Sequence, residues 1–378
     1  MRILILLIFT FIISKTEAQS SVLNRADSLY QNGNFSKAIA AYQSLDKHRE
    51  FYDRIAKAYV AIGNYDLAIE NYKRSVEIDP KNALVLYDYA KLLSKIKQFE
   101  ASVAVLNDLM NLDYRNPNYH YDLGLALERL KDSSAINRYL STYRLDPTHQ
   151  KAIYKLAKHY LQKGRHSITE KYINEGLITY ENNVELISLK AQSYFSRKYY
   201  TKAQIWFEKL IYLGESSEFI HEKLSICYAQ NYEYERAIEQ KKKVLEYDPY
   251  NTNAILAIGN YYQQLNDFEK AEQYYKQVLL LRDVPIDYEY QQLGIVLNRQ
   301  DKHKEAVAAF QKSLKENPEN ISSAFYIVTS KASYYSDIDA KIKLYEDFLK
   351  KYPSTNYRVL AAYSLKQLKE EKFLKEKE

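Results

Sequence analysis

Residues 55–80 read IAKAYVAIGNYDLAIENYKRSVEIDP, and small and aromatic residues alternate there in a way an ordinary amphipathic helix does not need. Ala56, Gly63 and Ala68 are small, Tyr59, Tyr65 and Tyr72 are large, and Pro80 closes the stretch. The pattern predicts two helices of about 12–14 residues, split by turn chemistry at Gly63-Asn64. Small residues at 56 and 68 mark where the helices cross, because bulky neighbours there would hold the backbones apart. The tyrosines fill the space around that crossing. Asp79-Pro80 ends the second helix, since the residue before a proline avoids helical geometry.

The same pattern recurs along the chain at a period of about 34 residues. A first copy runs Ala26–Leu29–Gly33–Phe35–Ala38–Tyr42, and later ones run Gly259–Tyr262–Phe268–Ala271–Tyr275 and Gly294–Leu297–Ala306–Phe310–Pro318. Others are visible around Ala90, Gly124, Ala157, Ala191 and Ser225, and a degenerate tenth lies near Ala324–Pro353. Leu-Gly, then Tyr, Ala, an aromatic and Pro at this period resembles the tetratricopeptide repeat. The resemblance covers residues 19–353 and implies an all-α fold, a right-handed superhelical α-solenoid of helix-turn-helix repeats. Irregularities interrupt the array. The fourth copy is one residue short at Leu130–Ser134, the fifth has Thr169 and Ile173 for the usual Ala and aromatic, one residue is added around Val284–Pro285, and Ser333–Asp337 is an odd turn. A bend is expected near residues 130–175. Residues 354–378, rich in Lys and Glu, read as a capping helix that frays into a charged tail.

Composition agrees with this reading. Of 378 residues 46% are hydrophobic, too many for a disordered chain, and 8 Gly and 7 Pro are few for an all-β fold. The first residues stand apart. Arg2 precedes the apolar run Ile3–Ile13, which is followed by polar residues and Ala18. This is the form of a secretory signal peptide over residues 1–18, cut after Ala18, and the run is short of the roughly 20 apolar residues that span a bilayer. The alternative is an uncleaved membrane anchor. An exported protein is expected, periplasmic, associated with the outer membrane or outside the cell. The lone Cys227 cannot form an internal disulfide, which a large helical core tolerates.

The search for chemistry is short. No phosphate-binding loop, dinucleotide fingerprint or nucleophile elbow is present. His221-Glu222-Lys223-Leu224-Ser225 echoes a zinc-protease helix, but Ser225 stands where the second His is needed. His159 and His166 straddle a turn, and Cys227 reads as a small buried hydrophobe. Lys and Arg are interleaved with carboxylates, so a nucleic-acid platform is not expected. No enzyme activity, cofactor or metal is anticipated.

What remains is the concave groove that the resemblance implies, lined by the first helix of each repeat. Carried over by position, it takes in Tyr87, Lys91, Tyr121, Tyr154 and Lys158, and further along Gln192, Asn253, Asn260, Gln263 and Asn298. Tyr and Lys together suit a peptide bearing carboxylates, while Asn and Gln suit an extended backbone. The clamp by which one subclass grips a chaperone's C-terminal carboxylate is not reproduced, because Leu256 occupies a Lys place beside Asn260. The expected function is a non-catalytic adaptor or scaffold of the cell envelope that binds a protein or peptide segment, in assembly, secretion or motility. A glycan-binding accessory protein, read from the Tyr-rich faces, is one alternative, and a regulatory subunit of an envelope enzyme is another. An uncapped array end can also stack on a second copy.

Overall fold

The structure, a computed structural model, describes residues 20–45, 48–281 and 286–375. The leader and the added residue near Val284–Pro285 lie outside them. All regular structure among the described residues is helical. In the first half of the chain the helices are α1 (residues 20–31), α2 (Phe35–Gln43), α3 (Tyr52–Ala61), α4 (Tyr65–Ile78), α5 (Ala83–Lys95), α6 (Phe99–Leu112), α7 (Pro117–Arg129), α8 (Ala135–Leu145), α9 (Gln150–Gln162) and α10 (His166–Thr179). In the second they are α11 (Val184–Ser196), α12 (Tyr200–Tyr212), α13 (Glu218–Gln230), α14 (Tyr234–Tyr247), α15 (Thr252–Gln264), α16 (Phe268–Leu281), α17 (Asp287–Arg299), α18 (His303–Glu316), α19 (Ile321–Tyr334), α20 (Ile338–Lys351) and α21 (Arg358–Lys375). They form ten pairs, odd-numbered helix first, and a final single helix. The chain divides into two compact units after Leu186, within α11.

The crossing of each pair follows from the sequence. Ala26, Ala56, Ala90, Ala157, Ala191 and Ser225 are almost wholly buried, and Gly124, Gly259 and Gly294 complete their column. A Cβ on Gly294 would stand 2.6 Å from the Phe310 ring, one on Gly124 2.7 Å from Tyr139, and one on Gly259 2.9 Å from Tyr275. Facing the column are Tyr42, Tyr72, Leu106, Tyr139, Ile173, Phe207, Tyr275 and Phe310, all buried. The seventh pair departs from the pattern. Lys241 occupies the aromatic position, 4% exposed, and its ammonium pairs with Glu222.

Turns are equally regular. Residues 33, 63, 97, 131, 164, 198, 232, 266 and 301 all have a positive φ, and the next residue's N–H bonds back to a carbonyl five residues earlier, as in Asn64 to Tyr59. Glycine accepts this left-handed geometry freely, yet only positions 33, 63 and 164 are glycine; Lys97, Lys131, Lys198, Tyr232, Asn266 and Asp301 hold it without that freedom. Between repeats, the side chains of Asp79, Asp113, Asp146, Asp248 and Asn317 each accept the N–H two residues on. Asn82, Asn116, His149, Asn251 and Asn320 then cap the next helix. The missing residue of the fourth copy is taken from the start of its second helix: Asp132 accepts the Ser134 N–H at 2.8 Å, and α8 begins only at Ala135. The fifth copy keeps its packing, with Thr169 and Ile173 fully buried and the Thr169 hydroxyl bonded to the Arg165 carbonyl.

The last helix packs Ala361 and Leu365 against α19 and α20, but its outer face is less polar than the expected cap. Val359, Leu360 and Tyr363 are exposed there beside Lys366 and Glu370. No helix among the described residues is long and apolar enough to cross a membrane.

Candidate functional site

In unit 1 three cavities open in successive gaps between first helices, and each is floored by a crossing residue of the helix behind. The first, about 530 Å³, lies between α3 and α5 over Tyr72. The second, about 290 Å³, lies between α5 and α7 over Leu106. The third, about 390 Å³, lies between α7 and α9 over Tyr139. Lys91 and Lys95 line both the first and the second.

Of the candidates of this unit, Lys91 and Lys158 line these cavities, and Tyr87, Tyr121 and Tyr154 stand on the same first helices. The Tyr87 phenol donates to Asp122 Oδ2 at 2.7 Å, and Lys91 Nζ lies 5.2 Å from the Tyr87 ring centre. Burial raises the Tyr87 pKa, and the hydrogen bond to Asp122 raises it further. Burial also raises the Asp122 carboxyl, against the opposing bond from Tyr87 and the charge of Lys91. Tyr121 packs 4.9 Å from His149 and 5.8 Å from Tyr139, and burial pushes its phenol up to about 12. Lys158 lies 5.7 Å from the Tyr154 ring. Glu128 accepts from Lys155 and from the Tyr139 phenol, both at 2.6 Å. Burial would raise the Glu128 carboxyl, but these two bonds hold it low.

In unit 2 the candidates are mostly turned to the protein itself. Gln192 donates to Ser188 Oγ at 3.0 Å. Asn260 Oδ1 and Gln263 Oε1 lie 2.8 and 2.6 Å from the phenol oxygen of fully buried Tyr275, which has one proton to give them. Asn298 donates to Ser330 Oγ at 2.7 Å, and its carbonyl oxygen lies 3.1 Å from His303 Nδ1. Asn253 is exposed on α15, and Leu256 packs against the core. Such bonding satisfies the polar tips of the half-buried side chains that make it.

The residues singled out for chemistry are built into the packing. His221 is buried, with Nε2 2.9 Å from Ser216 Oγ and Nδ1 2.7 Å from Gln240 Oε1. Cys227 is fully buried, and burial pushes its thiol up to about 12. Among the described residues no three His, Cys, Asp or Glu side chains are grouped so as to hold a metal ion.

Lys57, Lys95, Arg129, Asp88 and Asp122 line the cavities although the sequence reading passed over them. The repeat period itself would have found them. Lys57 and Lys91 stand 34 residues apart, as do Asp88 and Asp122, and Lys95 and Arg129.

Models described as tetratricopeptide repeat match residues 23–83, 59–130, 252–283 and 290–320. Among curated proteins the chain is similar to the protein CTR9 homolog of Arabidopsis thaliana, 24% identical over 231 residues, covering 58% of this chain and 21% of that one. It is also similar to RNA polymerase II-associated protein 3 of Xenopus tropicalis, 26% identical over 201 residues, covering 52% and 27%. The chain thus spans about a fifth to a quarter of the length of these relatives. Similar solved structures include a tetratricopeptide repeat protein from Parabacteroides merdae (17% identity, 66% of this chain and 98% of that one, TM-score 0.46) and yeast Tom70 (15%, 95% and 97%, TM-score 0.38).

Proposed function

We propose that this chain, which belongs to the tetratricopeptide repeat family, is a non-catalytic scaffold of the cell envelope that holds protein partners on its first-helix face. Repeats of this kind serve protein interaction, so the scaffold role follows from the family. The observation that carries the choice of face is the set of cavities between successive first helices of unit 1, lined by Lys91 and Lys158, which rest on the neighbouring rings of Tyr87 and Tyr154. Tyrosine offers a broad apolar face with a polar tip, and lysine adds a mobile charge, which suits a protein surface better than a small rigid substrate. The Arg2 to Ala18 segment supports the envelope assignment.

The test is affinity capture from cross-linked cell envelopes, with the chain lacking residues 1–18 as bait. A variant with Tyr87, Lys91, Tyr154 and Lys158 changed to Ala, verified as helical, serves beside it. A few proteins enriched by the wild type and lost with the variant are the expected result. Equal capture by both places binding on another face. Fractionation of cells into cytoplasm and envelope checks the location independently.

A further inference from the structure

The first two cavities of unit 1 differ from open surface in one respect: their acids are engaged, and of their bases only Lys57 makes an ion pair. Asp88 pairs with Lys57 at 3.0 Å, and Asp122 accepts the Tyr87 phenol. Lys91, Lys95 and Arg129 line the same cavities, are exposed, and make no ion pair among the described residues. Lys91 and Lys95 rest on tyrosine rings instead, Lys95 5.0 Å from that of Tyr65. Below these cations the surface is apolar. Val60, Ala61 and Leu92 line one cavity, and Phe99, Leu106 and Leu125 line the other. Two apolar recesses therefore flank a pair of exposed lysines that make no ion pair among the described residues, although the charge of Lys91 is felt by Asp122.

Resting on the scaffold reading above, we propose that these recesses take two apolar side chains of an acidic linear segment, with a carboxylate between them held by Lys91 and Lys95. The recesses lie in consecutive gaps, and packed helices stand about 8–10 Å apart, which is the span of about three residues of chain in the polyproline-II form, whose three-residue turn brings the first and fourth side chains to one face. The recognised pattern is thus an apolar residue, two residues of which at least one is acidic, and a second apolar residue. Arg129, at the far wall of the second recess, meets a further acid beyond it. Unpaired bases around an apolar floor favour an acidic partner over a basic one, because a basic segment would be desolvated next to like charge.

The probe is a labelled ten-residue peptide with two leucines three positions apart, all other positions Asp, Glu or Ser, followed by fluorescence anisotropy with the chain lacking residues 1–18. Binding is expected, weakening as salt rises from 50 to 300 mM. Changing both leucines to Ser, or both Lys91→Glu and Lys95→Glu in the protein, should weaken it at least tenfold. A peptide with Lys in place of each acid should bind the wild type no better than the Ser control, and should gain affinity for the K91E/K95E protein. Circular dichroism checks that this variant remains helical. Equal binding of acidic and basic peptides overturns the proposal, as does acidic-peptide binding unaffected by K91E/K95E. Tighter binding when the leucines are moved seven apart overturns the extended conformation. If envelope proteins are captured by wild type and by K91E/K95E alike, while no peptide binds, the scaffold role stands and this inference fails.

Discussion

In unit 1 the first helices present tyrosine and lysine beside open cavities. In unit 2 the corresponding turns of helix carry asparagine and glutamine, and several of these bond to the protein's own Tyr275, Ser330 and His303. Both units nevertheless share one crossing code, a small residue against a large one. The difference teaches that the repeat constrains the column at the crossing and leaves the neighbouring columns free. Unit 1 uses that freedom for exposed lysines beside cavities as well as for bonds such as Tyr87 to Asp122, unit 2 mainly for internal hydrogen bonds.

If the code is shared, cutting the crossing should hurt both units alike. Leu106→Ala in unit 1 and Phe310→Ala in unit 2 should each cost about 2–5 kcal/mol, read by denaturant unfolding. A small loss in one unit and a large one in the other would break the comparison. Next in size, Ala68→Leu should cost about 1–3 kcal/mol by overpacking, and an unchanged melting midpoint would count against the assigned crossing.

The polar columns should separate. Asn298→Ala strips partners from Ser330 and His303 and should cost about 1–3 kcal/mol, whereas Lys158→Ala, on the exposed face, should stay within about 0.5 kcal/mol. Equal losses would erase the distinction between the units.

A smaller effect belongs to unit 2 and depends on pH. Burial would raise the Glu272 carboxyl, but bonds from Lys276 at 2.6 Å, Lys302 at 3.0 Å and Gln300 at 3.0 Å outweigh it and bring it from 4.5 to about 2. A carboxyl lowered by folding stabilises fully above its unfolded value and loses that contribution as pH falls through the folded one. Wild-type stability should therefore drop by about 1–2 kcal/mol between roughly pH 4.5 and 2 beyond the drop of Glu272→Gln, the figure being reduced because both lysines are substantially exposed. Parallel pH profiles for the two proteins would remove this role. Opposite in sign is a gain: Tyr232→Gly relieves a side chain held at φ 64° and should add about 1 kcal/mol to thermal stability.

What the sequence disclosed was steric. Gly124, Gly259 and Gly294 are legible because no other residue leaves room for the ring opposite, and the Asp-Pro and Asn-Pro steps because proline stops a helix. Lys241 was not legible, since a charged residue at an aromatic position is buried only because Glu222, on the preceding helix, supplies its counter-charge. Lys97, Lys198 and Tyr232 announce no left-handed turn by their chemistry; the period alone places them in register with Gly63. Asn260 and Gln263 read as outward polar residues because helical spacing gives the face of a side chain. It does not show that the Tyr275 phenol reaches up to meet them.

The buried Cys227 has a further use. It is the chain's one cysteine, sealed at the seventh helix pair with its thiol held far from ionisation at neutral pH. An alkylating reagent can reach it only when the packing around α13 opens. The rate of its labelling is therefore a built-in clock for local opening around α13, read in the unmodified protein under native conditions.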